Sequence, residues 1–156
     1  MNGFFQSSEL LAKRPVPLLP QCGACGLFRN CKSPKMKPAG EGRRKILVLG
    51  EAPGSLEDLK GEPFIGESGQ LLERILAKVG VDFRKDCWIT NSAICRPERN
   101  LLPKKAIDYC RPNVIKAIEE LNPEVIIPLG ASAVKSVIGW LLKEDVGKLA
   151  RWLGGK

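Results

Sequence analysis

The chain contains no histidine among its 156 residues, only one tyrosine and two methionines, and aromatic side chains make up 6% of it. Without histidine, the usual mixed cysteine–histidine zinc sites are excluded. No apolar run approaches the roughly 20 residues that a membrane span needs. The amino terminus carries Glu9 early and Lys13-Arg14 after its apolar residues, with no cleavage pattern, so it does not read as a signal peptide. There are no heptads, no internal repeats of useful period and no low-complexity tails. These absences predict a single cytoplasmic domain over residues 1–156, with no membrane partner.

What is present suits a folded protein. Hydrophobic residues form 44% of the chain and charged residues 27%, ordinary for a globular domain long enough to bury a core. The net charge of +8 is uneven. Residues 1–50 hold nine Lys/Arg against two acids, leaving a net charge of only +1 for the rest. Lys32, Lys35, Lys37, Arg43, Arg44 and Lys45 crowd a segment containing proline and glycine. Such a segment is expected to be a mobile basic loop, suited to a phosphate backbone or simply solvated.

Lys45-Ile-Leu-Val-Leu-Gly-Glu-Ala-Pro-Gly54 organises the rest. A short continuous apolar run closed by turn residues reads as a buried parallel strand. Ligands of open α/β sheets bind beyond the carboxyl ends of such strands, which puts Glu51 at the mouth of a pocket or leaves it a solvated acid. A second strand is predicted over Cys87–Asn91 and a third within Glu124–Gly130.

Helices are expected between the strands. One runs from about Gln70, with Leu71, Leu72, Ile75, Leu76 and Val79 on its buried face and Gly80 as its stop. Another opens at Pro103, with Ile107, Ile115, Ile118 and Leu121 on its buried side and a kink or break at Pro112. A third covers Ala131–Leu142. Residues 1–21 read as an extended, proline-rich lead-in, and the last fourteen residues as a helix that stops. The alternation predicts a parallel α/β sheet with helices on both faces.

Six cysteines in a reducing compartment suggest metal or redox chemistry in place of a disulfide framework. Cys22 and Cys25 have the C-x-x-C spacing that brings two thiolates to one centre. Cys95 and Cys110 bracket a polar segment and complete a four-sulfur set, suited to a [4Fe–4S] cluster or a zinc ion. Cys31 competes with Cys25, and Cys87 reads as a core residue.

Taken together, several segments resemble the family 4 uracil-DNA glycosylases, the iron–sulfur members of their superfamily. They are Cys22-x-x-Cys25, Gly50-Glu-Ala-Pro-Gly54 with Glu57-Asp58, Gly61-Glu-Pro-Phe-Ile-Gly66 leading to Gly69-Gln-Leu-Leu72, Thr90-Asn91, Cys95-Arg-Pro97, Asn100, Cys110 and Pro128-Leu-Gly130. The similarity runs from about residue 22 to 140.

The resemblance implies a three-layer sandwich with a central, mostly parallel sheet, preceded by an arm over residues 1–44 that carries the C-x-x-C pair and the basic loop. It implies a [4Fe–4S] cluster on Cys22, Cys25, Cys95 and Cys110, with zinc as the alternative. It also implies a uracil pocket built from Gly50, Glu51, Ala52, Pro53, Gly54, Phe64 and Asn91, in which Glu51 and Asn91 act catalytically. Phe64 would stack on a flipped base and the Asn91 amide would pair with uracil O4 and N3–H. The bland readings are Phe64 as core, Asn91 as a turn former and Glu51 as a surface acid.

The implied activity is hydrolysis of the N-glycosidic bond of uracil in DNA, leaving an abasic site, by a monomer acting on uracil-containing DNA. The family's late His-Pro-Ser-type motif and final strand have no counterpart in this sequence. The resemblance therefore predicts weak or lost activity and an unpaired sheet edge. The alternative is a non-catalytic DNA-binding module of the same fold, held by iron–sulfur or zinc.

Overall fold

The apolar run after Lys45 forms the middle of the sheet. In the computed structural model, which describes residues 20–142, strand β1 (Ile46–Gly50) lies between β2 (Cys87–Asn91) and β3 (Val125–Pro128), in the order β2-β1-β3. Both pairings are parallel. Ile46 lies beside Cys87 and Gly50 beside Asn91 on one edge, while Ile46 meets Val125 and Leu49 meets Pro128 on the other. The proline-rich lead-in up to residue 19 and the end of the chain from residue 143 lie outside the described residues.

β1 reads as an unbroken apolar run because both of its faces are covered. Alternate residues point to opposite faces. Leu47 and Leu49 pack with Val114, Ile118, Ala133 and Val137, while Val48 packs with Phe83, Cys87 and Ile89. Leu47, Val48 and Leu49 are at most 1% exposed, and each such side chain contributes about 1.5–3 kcal/mol by leaving water. The expected layers, helices on both faces of a parallel sheet, are present.

The helices, in chain order, are α1 (Cys22–Cys25), α2 (Ser55–Lys60), α3 (Glu67–Lys78), α4 (Phe83–Asp86), α5 (Lys104–Leu121) and α6 (Ala131–Leu142). Helix α5 carries Ile107, Ile115 and Ile118 into the core, as their spacing predicts. It is one helix of 18 residues that continues through Pro112, not two abutting ones. Proline removes one backbone donor there. Flanking bonds hold the turn: Arg111 Nε donates to the Ser136 carbonyl at 3.1 Å, and the Arg111 guanidinium donates to Asp108 at 2.7 Å.

Helix α3 departs from the expected buried face. Only Leu72 and Leu76 pack against the core, while Leu71, Ile75 and Val79 are 52%, 49% and 71% exposed. Among the described residues the sheet has three strands, and it covers only a thin seam of the helix.

Residues 32–45 are irregular, as composition predicts, but they are tied down and do not form a mobile loop. The Lys32 and Ser33 amides donate to the buried Asp58 carboxylate at 3.1 and 2.9 Å. Met36 donates to the Ile94 carbonyl, Ala39 and Ile89 form an antiparallel bridge, and residues 41–44 donate to carbonyls of residues 84–87. The segment therefore runs along the outer edge of β2 from its carboxyl end to its amino end, covering an edge that would otherwise invite pairing. Among the described residues β3 pairs only with β1.

Candidate active site and cysteine cavity

The carboxyl ends of β1 and β2 converge on Gly50. A Cβ at that position would collide with the ring of Phe64 and with Asn91 Oδ1. Only glycine lets the ring and the amide approach the strand end together. Asn91 is 4% exposed, and its side-chain amide engages no hydrogen bond with any described residue. Its amide atoms still reach solvent, since among the described side chains only Ser136 Oγ is buried without a partner, so the amide's donor and acceptor are both open to a ligand. The structure thus brings Gly50, Phe64 and Asn91 together, three residues that come from separate stretches of sequence.

Phe64 is presented by a backbone in the left-handed region, at φ 58°. Two carbonyls of its loop accept from Arg84, Pro63 at 3.0 Å and Phe64 at 2.6 Å. The ring meets Phe83 edge-on, with centroids 6.0 Å apart. On the far side, Gly69 of α3 lies so close that a Cβ there would overlap the Phe64 carbonyl. Glu57 links this loop to the Gly50–Gly54 turn. Its Oε1 accepts the Gly66 amide at 2.7 Å, and its carboxylate lies against Gly54.

The turn after β1 is fixed from below. The Gly50 carbonyl accepts both the amide and the hydroxyl of buried Ser92, each at 2.8 Å, and the Glu51 carbonyl accepts the Ala93 amide at 2.9 Å. Pro53 is buried and Ala52 half-buried, while the Glu51 side chain is exposed. Its Oε2 accepts the hydroxyl of Ser132, on α6, at 2.6 Å. Sequence reasoning did not single out Arg84, Ser92 or Ser132. Glu57 stood inside a quoted motif with no role attached.

The four candidate ligand cysteines are also brought together. Cys22 and Cys25 on α1, Cys95 after β2 and Cys110 on α5 line one cavity with Phe28, Ile94 and Asn113. The Lys35 amide donates to Cys95 Sγ at 3.2 Å, while the Ile94 amide and Asn113 Nδ2 donate to Cys110 Sγ at 3.4 and 3.5 Å. Burial pushes the Cys95 thiol up to about 12, and the Lys35 amide opposes it. Burial likewise raises Cys110 against its two donors. Cys31 lies against Cys95 but outside the cavity lining, and Cys87 is fully buried in the sheet. Among the described residues, no three Cys, Asp or Glu side chains form a ready-made metal group. The four thiols surround a space and do not close on a point.

The basic residues divide between the two ends of the sheet. Arg43, Arg44 and Lys45 precede β1, and even Lys45 lies roughly 16 Å, five residues at about 3.3 Å each, from its carboxyl end. Arg43 pairs with Glu41 at 2.7 Å, Lys45 with Glu124 at 3.0 Å, and Arg44 donates to the Gly80 carbonyl. At the carboxyl end, Arg29 and Arg99 line an open basin beside Cys25 and Leu101. The basic segment thus does not act as a unit at the candidate site.

Residues 38–153 match the uracil DNA glycosylase superfamily. The type-4 uracil-DNA glycosylase of Pyrobaculum aerophilum is 39% identical over 140 residues, covering 88% of this chain and 67% of that protein. The type-4 enzyme of Archaeoglobus fulgidus is 38% identical over 74% of this chain and 58% of its own length. That of Thermotoga maritima is 35% identical over 87% and 72%. The chain thus spans between about half and three-quarters of the length of such relatives. On this similarity, and with the parallel sheet that carries it, the chain belongs to the uracil DNA glycosylase superfamily, among relatives of type 4.

Proposed function

We propose that the protein is a DNA-repair glycosylase that hydrolyses the N-glycosidic bond of uracil in DNA and leaves an abasic site. One observation carries the reading. An amide that hydrogen-bonds no described residue and stays reachable from solvent meets an aromatic ring at the carboxyl end of the central strand, over a glycine that makes room for both. An enzyme acting on a base must take it out of the stack, read its Watson–Crick edge and hold its face. In this reading Asn91 pairs with uracil O4 and N3–H, and Phe64 stacks on the ring. Glu51 and the backbone N–H groups of Gly50 to Gly54, with Ala52 and Pro53 shaping the turn, orient the attacking water and meet developing charge. Arg29 and Arg99 supply contacts to the phosphate backbone at that end of the sheet.

The cysteine cavity supports a [4Fe–4S] cluster on Cys22, Cys25, Cys95 and Cys110. Four cysteines and no carboxylate line the space, and backbone or side-chain N–H groups already aim at two of the sulfurs. Such a cluster would staple the arm to α5 and the loop after β2, and no step of hydrolysis runs through it. Reduced thiols of this kind suit a cytoplasmic protein. Among the described residues no helix is long and apolar enough to cross a membrane.

The test is incubation with a single-uracil oligonucleotide followed by cleavage at abasic sites. Strand scission at the uracil position is the expected result. DNA binding without scission at stoichiometric enzyme would support the non-catalytic module instead. Iron and sulfide in a brown protein absorbing near 400 nm are expected; a colourless protein with one equivalent of zinc would overturn the cluster.

A further inference from the structure

The Glu51 carboxylate is exposed, and a glutamate free in solvent samples many rotamers. Here one rotamer is held. Ser132, the second residue of α6, donates its hydroxyl to Glu51 Oε2 at 2.6 Å, the short range of a charge-assisted O–H···O⁻ bond. The two residues are 81 positions apart, so the bond joins the end of β1 to the first turn of the helix that follows β3. That turn adds the partial positive charge of a helix amino terminus. An ionised carboxylate only accepts, so the donor is the serine, and Oε1 stays free toward solvent. Among the described residues no other side chain hydrogen-bonds this carboxylate.

We infer that Ser132 is a positioning residue, holding the Glu51 carboxylate in the one orientation from which Oε1 can direct water onto the flipped nucleotide. The inference rests on the glycosylase reading above. It assigns Ser132 no contact with DNA or uracil. Its loss leaves binding intact and lowers the fraction of bound complexes with the carboxylate in place.

The experiment is single-turnover excision of uracil at saturating enzyme, with the dissociation constant for the same oligonucleotide measured alongside. Ser132→Ala is expected to lower the excision rate about ten- to thirty-fold, of the order that freezing one glutamate side chain is worth, with the dissociation constant unchanged. Ser132→Thr keeps the hydroxyl and is expected to recover most of the rate. In a Glu51→Gln background, Ser132→Ala is expected to cause no further loss. Equal rates for wild type and Ser132→Ala, or loss of rate only in step with weaker binding, would overturn the inference while the glycosylase reading stands. A wild type that excises no uracil would overturn that reading, and this inference with it. The 13Cδ resonance of Glu51 reports the bond without turnover: it is expected to shift in Ser132→Ala, and an unchanged resonance would contradict the contact.

Discussion

Glu57 Oε1 accepts the Gly66 amide at 2.7 Å, and this single bond couples the turn after β1 to the loop that carries Phe64. The donor is an orphan amide at the start of α3, where no intrahelical partner exists, and hydrogen bonds to charged groups contribute about 1.5–3 kcal/mol. Glu57→Ala is therefore expected to destabilise the fold by about 1–2 kcal/mol, less than the full bond because the side chain is only half-buried. Uracil excision is expected to fall more than stability accounts for, since the Phe64 loop keeps its Arg84 bonds but loses its link to the turn after β1. Denaturant unfolding and excision rates measured on the same preparation check both halves.

A side chain at Gly50 forces the groups above it to move. In Gly50→Ala the new Cβ meets the Phe64 ring and the Asn91 amide at once. Overpacking of this kind costs about 1–3 kcal/mol, and here the groups displaced are the ones that would hold the base. A folded, thermally weakened protein with no excision is the expected outcome. Wild-type activity in Gly50→Ala would show that the three residues do not form the pocket.

Asn91 separates reading from stacking. Asn91→Asp preserves shape but replaces a donor with a second acceptor, so uracil N3–H keeps a partner while O4 faces a carboxylate oxygen. A loss of about 10²–10³ in excision is expected, the scale of removing one well-placed donor. DNA affinity, which resides mainly in phosphate contacts, is expected to change little.

Charge at the two ends of the sheet is predicted to behave differently. Arg29→Glu or Arg99→Glu, in the basin at the carboxyl end, is expected to weaken DNA binding and to reduce the salt slope by about 0.9 for each phosphate that is no longer neutralised. Arg43→Glu and Arg44→Glu, at the amino end, are expected to leave that slope nearly unchanged. The slope of log K against log salt for each variant decides it.

Much of the fold is legible in the amino-acid order. β1 and β2 begin and end within a residue of their sequence-based bounds, because a continuous apolar run stopped by glycine or by a polar pair leaves little freedom. The buried side of α5 follows from the spacing of Ile107, Ile115 and Ile118. The exposed half of α3 does not follow, because Leu71 and Leu72 are equally apolar and only the width of the sheet decides which one is covered. The order of residues 32–45 is hidden for another reason: it rests mostly on backbone amides, which every sequence possesses. The bonds of Arg84 to the Phe64 loop and of Ser132 to Glu51 span 20 and 81 positions, and nothing local announces such a partner. For the candidate site, the residue types and the strand ends are readable, whereas the groups that hold them in place are not.

The uracil pocket is tested most directly by single-turnover incubation of the full chain with a fluorescent oligonucleotide carrying one uracil, beside an otherwise identical thymine control. Alkali-labile scission is expected at uracil only, abolished in Asn91→Ala with DNA binding retained. Bound DNA that stays intact at excess wild-type enzyme, or scission that persists in Asn91→Ala, would contradict the pocket and the activity assigned to it.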